Sequence, residues 1–147
     1  MGDRTFYRLT LPEGLTTDQL RCAASAFTED EWTTEEAERL QDGACSVVVV
    51  DIEERLCGDC RKAADAVQEA LGGQVAFTVT EDPKYEWLGT ICRYDPERGM
   101  HETECGPDGQ AVLTASSFEA TSQAAQDDPA AVVEQLRRLL GIDWVSP

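Results

Sequence analysis

The sequence predicts one α/β or α+β domain, a mixed sheet with helices packed on it. Three stretches predict it. Residues 46–80 read as a strand–CxxC–helix–strand unit: Val47–Val50, then Cys57-Gly58-Asp59-Cys60, an amphipathic helix, and Val75 to Val79. Residues 85–114 read as three strands parted by turn sequences, an antiparallel meander in the C-terminal half. Residues 129–141 read as a C-terminal helix. At 147 residues, with no internal repeat, the whole span 1–147 is expected to form a single domain with its own core.

Thr5 to Leu11 alternates loosely and makes a first strand, ended by Pro12-Glu13-Gly14. Thr16 with Gln19 is a capping box, in which each side chain satisfies the other residue's backbone N–H. It opens a helix whose Leu20, Ala23, Ala24 and Phe27 share one face. Thr33 with Glu36 is a second capping box, opening a helix to about Gln41, with Gly43 as its stop. The four valines are apolar on both faces, as suits a strand buried on both sides. Cys60, Ala63, Ala64, Val67, Ala70 and Leu71 follow at helical spacing until Gly72-Gly73.

In the meander, Tyr85, Trp87 and Ile91 fall on one side of a strand and Leu88, Cys92 and Tyr94 on the other. Asp95-Pro96-Glu97-Arg98-Gly99 turns the chain into Met100–Cys105, and Gly106-Pro107-Asp108-Gly109 into Gln110–Thr114. The register stays open, because placing Gly99 in the strand or in the loop reverses which side chains share a face. Residues 116–126 read as a linker with some helical turns. Asp128-Pro129 is an N-cap with proline at the first helical position, followed by the stripe Val132, Val133, Leu136, Leu139 and Leu140 and a Gly141 stop.

Acidic residues number 29 against 12 basic, for a net charge of −17. Such a surface repels phosphates and anionic lipids, so no direct nucleic-acid or membrane partner is expected. No apolar run approaches the ~20 residues of a membrane span, and the N-terminus lacks a signal peptide's apolar core. The expected location is the cytoplasm. No cofactor is expected, and no Gly-rich phosphate loop, dinucleotide fingerprint or HExxH sequence is present.

Placing Cys57 and Cys60 between a strand and a helix N-terminus has a chemical use. The positive end of the helix dipole stabilises a thiolate, and the second cysteine, one turn on, can close a small reversible disulfide. The stretch resembles the thioredoxin family, where a hydrophobic strand ending in Asp is followed, five residues later, by CGxC and a basic residue. Here these are Val47–Val50, Asp51, Cys57-Gly58-Asp59-Cys60 and Arg61. The resemblance covers residues 46–80. It implies that Cys57 is the attacking thiol, Cys60 the resolving thiol and Asp51 a buried proton acceptor.

A structural zinc site is another reading, with Cys57 and Cys60 joined by two of Cys92, His101 and Cys105. His101 and Cys105 lie about 13 Å apart along a predicted strand, too far to share one ion. The leading expectation is of another kind: a non-enzymatic acidic protein that binds a basic surface on a protein partner. Its candidate contacts are Glu29, Asp30, Glu31, Glu35, Glu36, Glu38 and Asp42. A helix over Glu29–Gln41 would span about 20 Å, an array comparable to, though sparser than, duplex phosphates at ~1.7 Å of axis per charge. That suggests nucleic-acid mimicry of the kind used by phage or mobile-element inhibitors.

Overall fold

The structure, a computed structural model, describes residues 4–41, 47–56, 58–83, 88–106, 110–113, 115–124 and 128–141. The order of elements is β1 (Arg4–Pro12), α1 (Thr17–Thr28), α2 (Thr34–Gln41), β2 (Val47–Leu56), α3 (Cys60–Ala70) and β3 (Phe77–Glu81). Then come β4 (Gly89–Asp95), β5 (Gly99–Cys105), β6 (Ala111–Val112), α4 (Ala115–Ala124) and α5 (Pro129–Leu140). Among the described residues these strands form one six-stranded sheet in the order β2-β1-β3-β4-β5-β6. Each pairing is antiparallel, so the fold is α+β. β2 and β3 run parallel to each other with β1 between them, and α3 crosses over from one to the other.

Alternation along β1 turns Thr5, Tyr7, Leu9 and Leu11 inward. Both capping boxes form. Thr16 Oγ1 accepts from the Gln19 N–H at 3.1 Å while Gln19 Oε1 accepts from the Thr16 N–H at 3.0 Å. At α2, Thr33 Oγ1 accepts from the Glu36 N–H at 3.2 Å and Glu36 Oε2 from the Thr33 N–H at 2.9 Å. The α1 stripe of Leu20, Ala23, Ala24 and Phe27 meets the α3 stripe of Cys60, Ala63, Ala64 and Val67 in one buried cluster. Alanines at four of these positions let the two helices lie side by side. Below them sit Tyr7, Leu9, Leu11, Val50, Phe77, Val79, Cys92 and Tyr94, with the Phe77 and Tyr94 rings stacked at 5.4 Å. Each large apolar side chain so buried contributes about 1.5–3 kcal/mol.

The valine strand departs from expectation. β2 lies at the sheet edge and runs on past Asp51 to Leu56. Val50 faces the core, but Val49 is 40% exposed, so the strand is not buried on both sides. A run of β-branched residues satisfies strand geometry without fixing the strand's place in the sheet, and β1 takes the interior position instead. The meander's open register is settled by the pairs Asp95–Gly99, Arg93–His101 and Cys92–Glu102, with Gly99 in the strand at φ 84°. β4 is buried on both faces, Ile91 on one and Cys92 and Tyr94 on the other. Tyr85 and Trp87 lie outside the described residues.

Of residues 116–126, expected as a linker with some helical turns, 116–124 lie in α4. Gly141 closes α5 in the left-handed region at φ 64°, and Arg93 Nη1 donates to its carbonyl at 3.1 Å, tying the helix end to the sheet. None of the α5 side chains is fully buried, so its apolar stripe is only partly covered. Among the described residues, no helix is long and apolar enough to cross a membrane.

Candidate functional site

Two regions hold the residues singled out by sequence. The first is the turn from β2 into α3. Tyr7 on β1 and Glu81 on β3 are cross-strand partners, and both point to the helix-covered face, where they are 1% and 5% exposed. Their polar ends reach the turn backbone on both sides of Cys57. Tyr7 Oη donates to the Leu56 carbonyl at 2.7 Å and accepts from the Asp59 N–H at 2.9 Å. Glu81 Oε1 accepts from the Gly58 N–H at 2.8 Å. Gly58 has φ 91°, a conformation that side chains rarely adopt. The two buried side chains thus form a pedestal under the turn.

The strand register places them there. A bulge between the Thr5–Arg55 and Tyr7–Ile52 pairs gives β2 an extra residue, and its end arrives over Tyr7. Thr5 Oγ1 donates to the Asp82 carbonyl at 2.8 Å, and the Asp82 N–H to the Phe6 carbonyl at 3.0 Å, locking the end of β3. Arg55 lies over the Tyr7 ring at 5.7 Å and donates to the Phe27 carbonyl and to Glu29.

Burial pushes the Glu81 carboxyl above the usual carboxylate range, and the Gly58 N–H and the Tyr7 hydroxyl only partly oppose it. Its second oxygen, Oε2, is buried and makes no hydrogen bond of standard geometry with the described residues. Burial, and next the Glu81 charge, push the Tyr7 phenol far up. Cys60, the first residue of α3, is 1% exposed, and its Sγ lies 3.6 Å from Cys92 Sγ. The contact with Cys92, and then burial, push the Cys60 thiol up, with the Glu81 charge adding to the shift. Such a cysteine is protonated at neutral pH and suits a resolving thiol rather than an attacking one. Cys57 lies outside the described residues.

Asp51 does not fill the role that the resemblance implied. It points out from β2, with its side chain 60% exposed, and pairs with Arg8 at 2.9 Å. The buried carboxylate at this turn is Glu81. Pro96, the sole proline between Thr90 and Cys105, sits in the β4–β5 turn at the far end of β4 from Thr90, whose carbonyl Cys60 approaches.

The zinc set is divided by the sheet. Cys92 pairs with Glu102 and shares the helix-covered face with Cys60, while His101, paired with Arg93, and Cys105, paired with Gly89, project from the opposite face. Neither can join Cys60 and Cys92 around one ion. Among the described residues no group of three His, Cys, Asp or Glu side chains could hold a metal.

The second region is the α1–α2 corner. Glu29, Asp30, Glu31, Glu35, Glu36 and Glu38 are all exposed; Asp42 lies outside the described residues. They do not lie along one long helix. α1 ends at Thr28, Glu29 takes the left-handed conformation at φ 58°, and α2 has 8 residues, about 12 Å in length. Glu29 binds Arg55 at 3.1 Å and Glu36 caps α2, so two of the six carboxylates already have internal partners. Asp30, Glu31, Trp32, Glu36, Arg39 and Leu40 surround an open depression of about 460 Å³. Trp32 is fixed in it by bonds from its indole N–H to Thr28 Oγ1 and from its backbone N–H to Ser25 Oγ, both 3.0 Å.

Sequence reasoning missed Tyr7, Glu81 and the pairing of Cys60 with Cys92. A signal was present for Glu81. It continues the inward phase of Phe77 and Val79, which places a carboxylate on an apolar stripe.

A family model described as a protein of unknown function, DUF3145, matches residues 28–146. Neither the curated proteins nor the solved structures offer a match.

Proposed function

We propose, for a chain that belongs to the DUF3145 family, a thiol–disulfide exchange function centred on Cys57 and Cys60. The observation that carries this reading is the pedestal. Tyr7 and Glu81 hold the backbone of Leu56, Gly58 and Asp59, the residues around Cys57, with bonds of 2.7–2.9 Å. A turn fixed in this way on a helix N-terminus is preorganised for a reactive thiol. The reading rests on this site and not on a shared fold.

In the proposed reaction the Cys57 thiolate attacks a partner disulfide, forming a mixed disulfide and releasing one partner sulfur as a thiolate. Cys60 then attacks the Cys57 sulfur, the Cys57–Cys60 bond forms, and the second partner sulfur leaves as a thiolate. Glu81 takes the Cys60 proton and passes it to that leaving group. The setting that fits is the cytoplasm, where thiols such as Cys22, Cys60 and Cys92 persist.

The test is a lysate capture with a Cys60→Ala variant, washed with salt and then with reductant. Without its resolving partner, Cys57 should hold substrates as mixed disulfides that survive salt and leave only with thiol. An empty reductant fraction, together with a Cys57 that does not react with a disulfide reagent in the folded protein, would refute the reading.

A second reading is that the α1–α2 corner docks a basic protein surface, in the manner of a nucleic-acid mimic. The depression around Trp32, rimmed by Asp30, Glu31 and Glu36, favours it. A partner released by salt alone, and lost when Glu29, Asp30, Glu31, Glu35, Glu36 and Glu38 are neutralised together, would support docking. Binding unchanged by that substitution would remove it.

A further inference from the structure

Cys92 has no part in the exchange just described, yet its sulfur is the one the fold brings to Cys60. The two sulfurs are 3.6 Å apart, and a disulfide needs about 2.05 Å. Closing a gap of this size takes about 1.5 Å of movement, within reach of side-chain torsions at the first residue of a helix. Cys60 makes only long contacts with its other neighbours, the Val79 and Thr90 carbonyls, each at 3.6 Å. Cys105 lies across the sheet, so it does not compete.

Burial decides how such a bond could form. Cys60 and Cys92 are 1% and 0% exposed, so no partner disulfide reaches either of them from solvent. Cys57 lies in sequence between Leu56 and Gly58, both exposed, and three residues from Cys60. On the exchange reading the oxidising equivalent arrives at Cys57 and passes to Cys60, and from there it can move on to Cys92 without the core opening to a partner.

We infer that Cys57, Cys60 and Cys92 form a relay, in which the disulfide first made between Cys57 and Cys60 moves inward to become Cys60–Cys92. This rests on the exchange reading above. The Cys92 thiolate attacks the Cys60 sulfur, the Cys57–Cys60 bond breaks, and Cys57 leaves as a thiolate. The proton given up by Cys92 is the one Cys57 takes up, so neither electrons nor protons are gained overall. The electrons were given to the partner disulfide in the earlier step. The new bridge is favoured in the folded chain because the fold already holds the Cys60 and Cys92 sulfurs 3.6 Å apart. It also returns Cys57 as a free thiol while the oxidised state is kept in the core.

The relay is tested by disulfide mapping. The folded protein is oxidised with glutathione disulfide, free thiols are alkylated, and the chain is cut with trypsin without reduction. The expected product is peptide 56–61 joined to peptide 85–93 through Cys60 and Cys92, with Cys57 alkylated. Cys57→Ser should slow this bridge at least tenfold, and Cys92→Ala should stop oxidation at Cys57–Cys60. A wild-type Cys57–Cys60 bridge with Cys92 alkylated overturns the relay and leaves exchange standing. Bridging that is equally fast in Cys57→Ser overturns it too, since the core pair would then be oxidised directly. A protein that forms no disulfide, and consumes no glutathione disulfide, overturns both.

Discussion

Removing one oxygen from Tyr7 separates the pedestal from the core around it. Tyr7→Phe keeps the buried ring, its packing and its contact with Arg55, and deletes only the hydroxyl that joins the Leu56 carbonyl to the Asp59 N–H. A net hydrogen bond contributes about 1 kcal/mol, so the two together should cost about 2 kcal/mol. Leu56 is 46% exposed, so water can re-satisfy its carbonyl and keep the loss near that figure. For a domain of this size the melting temperature should fall by about 4–8 °C. In urea the midpoint should drop at unchanged slope, because the surface exposed on unfolding stays the same.

Tyr94→Phe is the control. It removes a single bond, from Tyr94 Oη to the Gly73 carbonyl at 2.7 Å, far in sequence from the turn, and should cost about 1 kcal/mol. Tyr7→Phe should also slow the reaction of Cys57 with a disulfide reagent, and Tyr94→Phe should not. A Tyr7→Phe loss below about 0.5 kcal/mol, or equal thiol kinetics in the two variants, would show that the turn does not depend on this support.

Glu81 should make stability depend on pH. Its folded pKa is raised, so as pH climbs from 4.5 towards that folded value the unfolded chain loses a proton that the native state keeps. Native stability then falls across that window, and Glu81→Gln, which retains an oxygen for the Gly58 N–H, should flatten the fall in denaturation curves taken at several pH values. Asp51→Asn should change stability by less than about 1 kcal/mol, since it breaks an exposed pair; a large change in thiol kinetics would restore Asp51 as a working group. Two glycines should separate strain from collision. Gly58→Ala meets no neighbour and should cost about 1–2 kcal/mol through its backbone angle alone. Gly89→Ala would set a methyl 2.7 Å from Cys105 Sγ and against the Glu81 carbonyl, and should cost about 3 kcal/mol. The reverse order in urea titrations would contradict the packing described for β3 and β4.

What the sequence revealed and what it hid differ in range along the chain. The Thr16–Gln19 and Thr33–Glu36 capping boxes and the Asp128 cap are local chemistry, and all were legible. So was the helical stripe from Cys60 to Val67, because its period is carried by a dozen neighbouring residues. The partnership of Tyr7 with Glu81 joins residues 74 positions apart by number, through a β1–β3 register that no local pattern encodes. The same holds for Cys60 and Cys92. Cys92 faces Cys60 because it pairs with Val79, and Cys105 falls on the opposite side because Gly99 pairs with Asp95. The acidic corner was legible as composition but not as shape. Counting carboxylates from Glu29 to Gln41 could not show that the chain turns at Glu29 and splits the array.

The family match begins at Thr28, and β1 precedes it. Yet β1 stands between β2 and β3 and supplies Tyr7, Leu9 and Leu11 to the core. A fragment cut at Thr28 would leave β2 stranded and the inner edge of β3 bare, two unpaired backbones open to pairing with other chains. The span shared with the family is therefore not a self-sufficient folding unit in this protein.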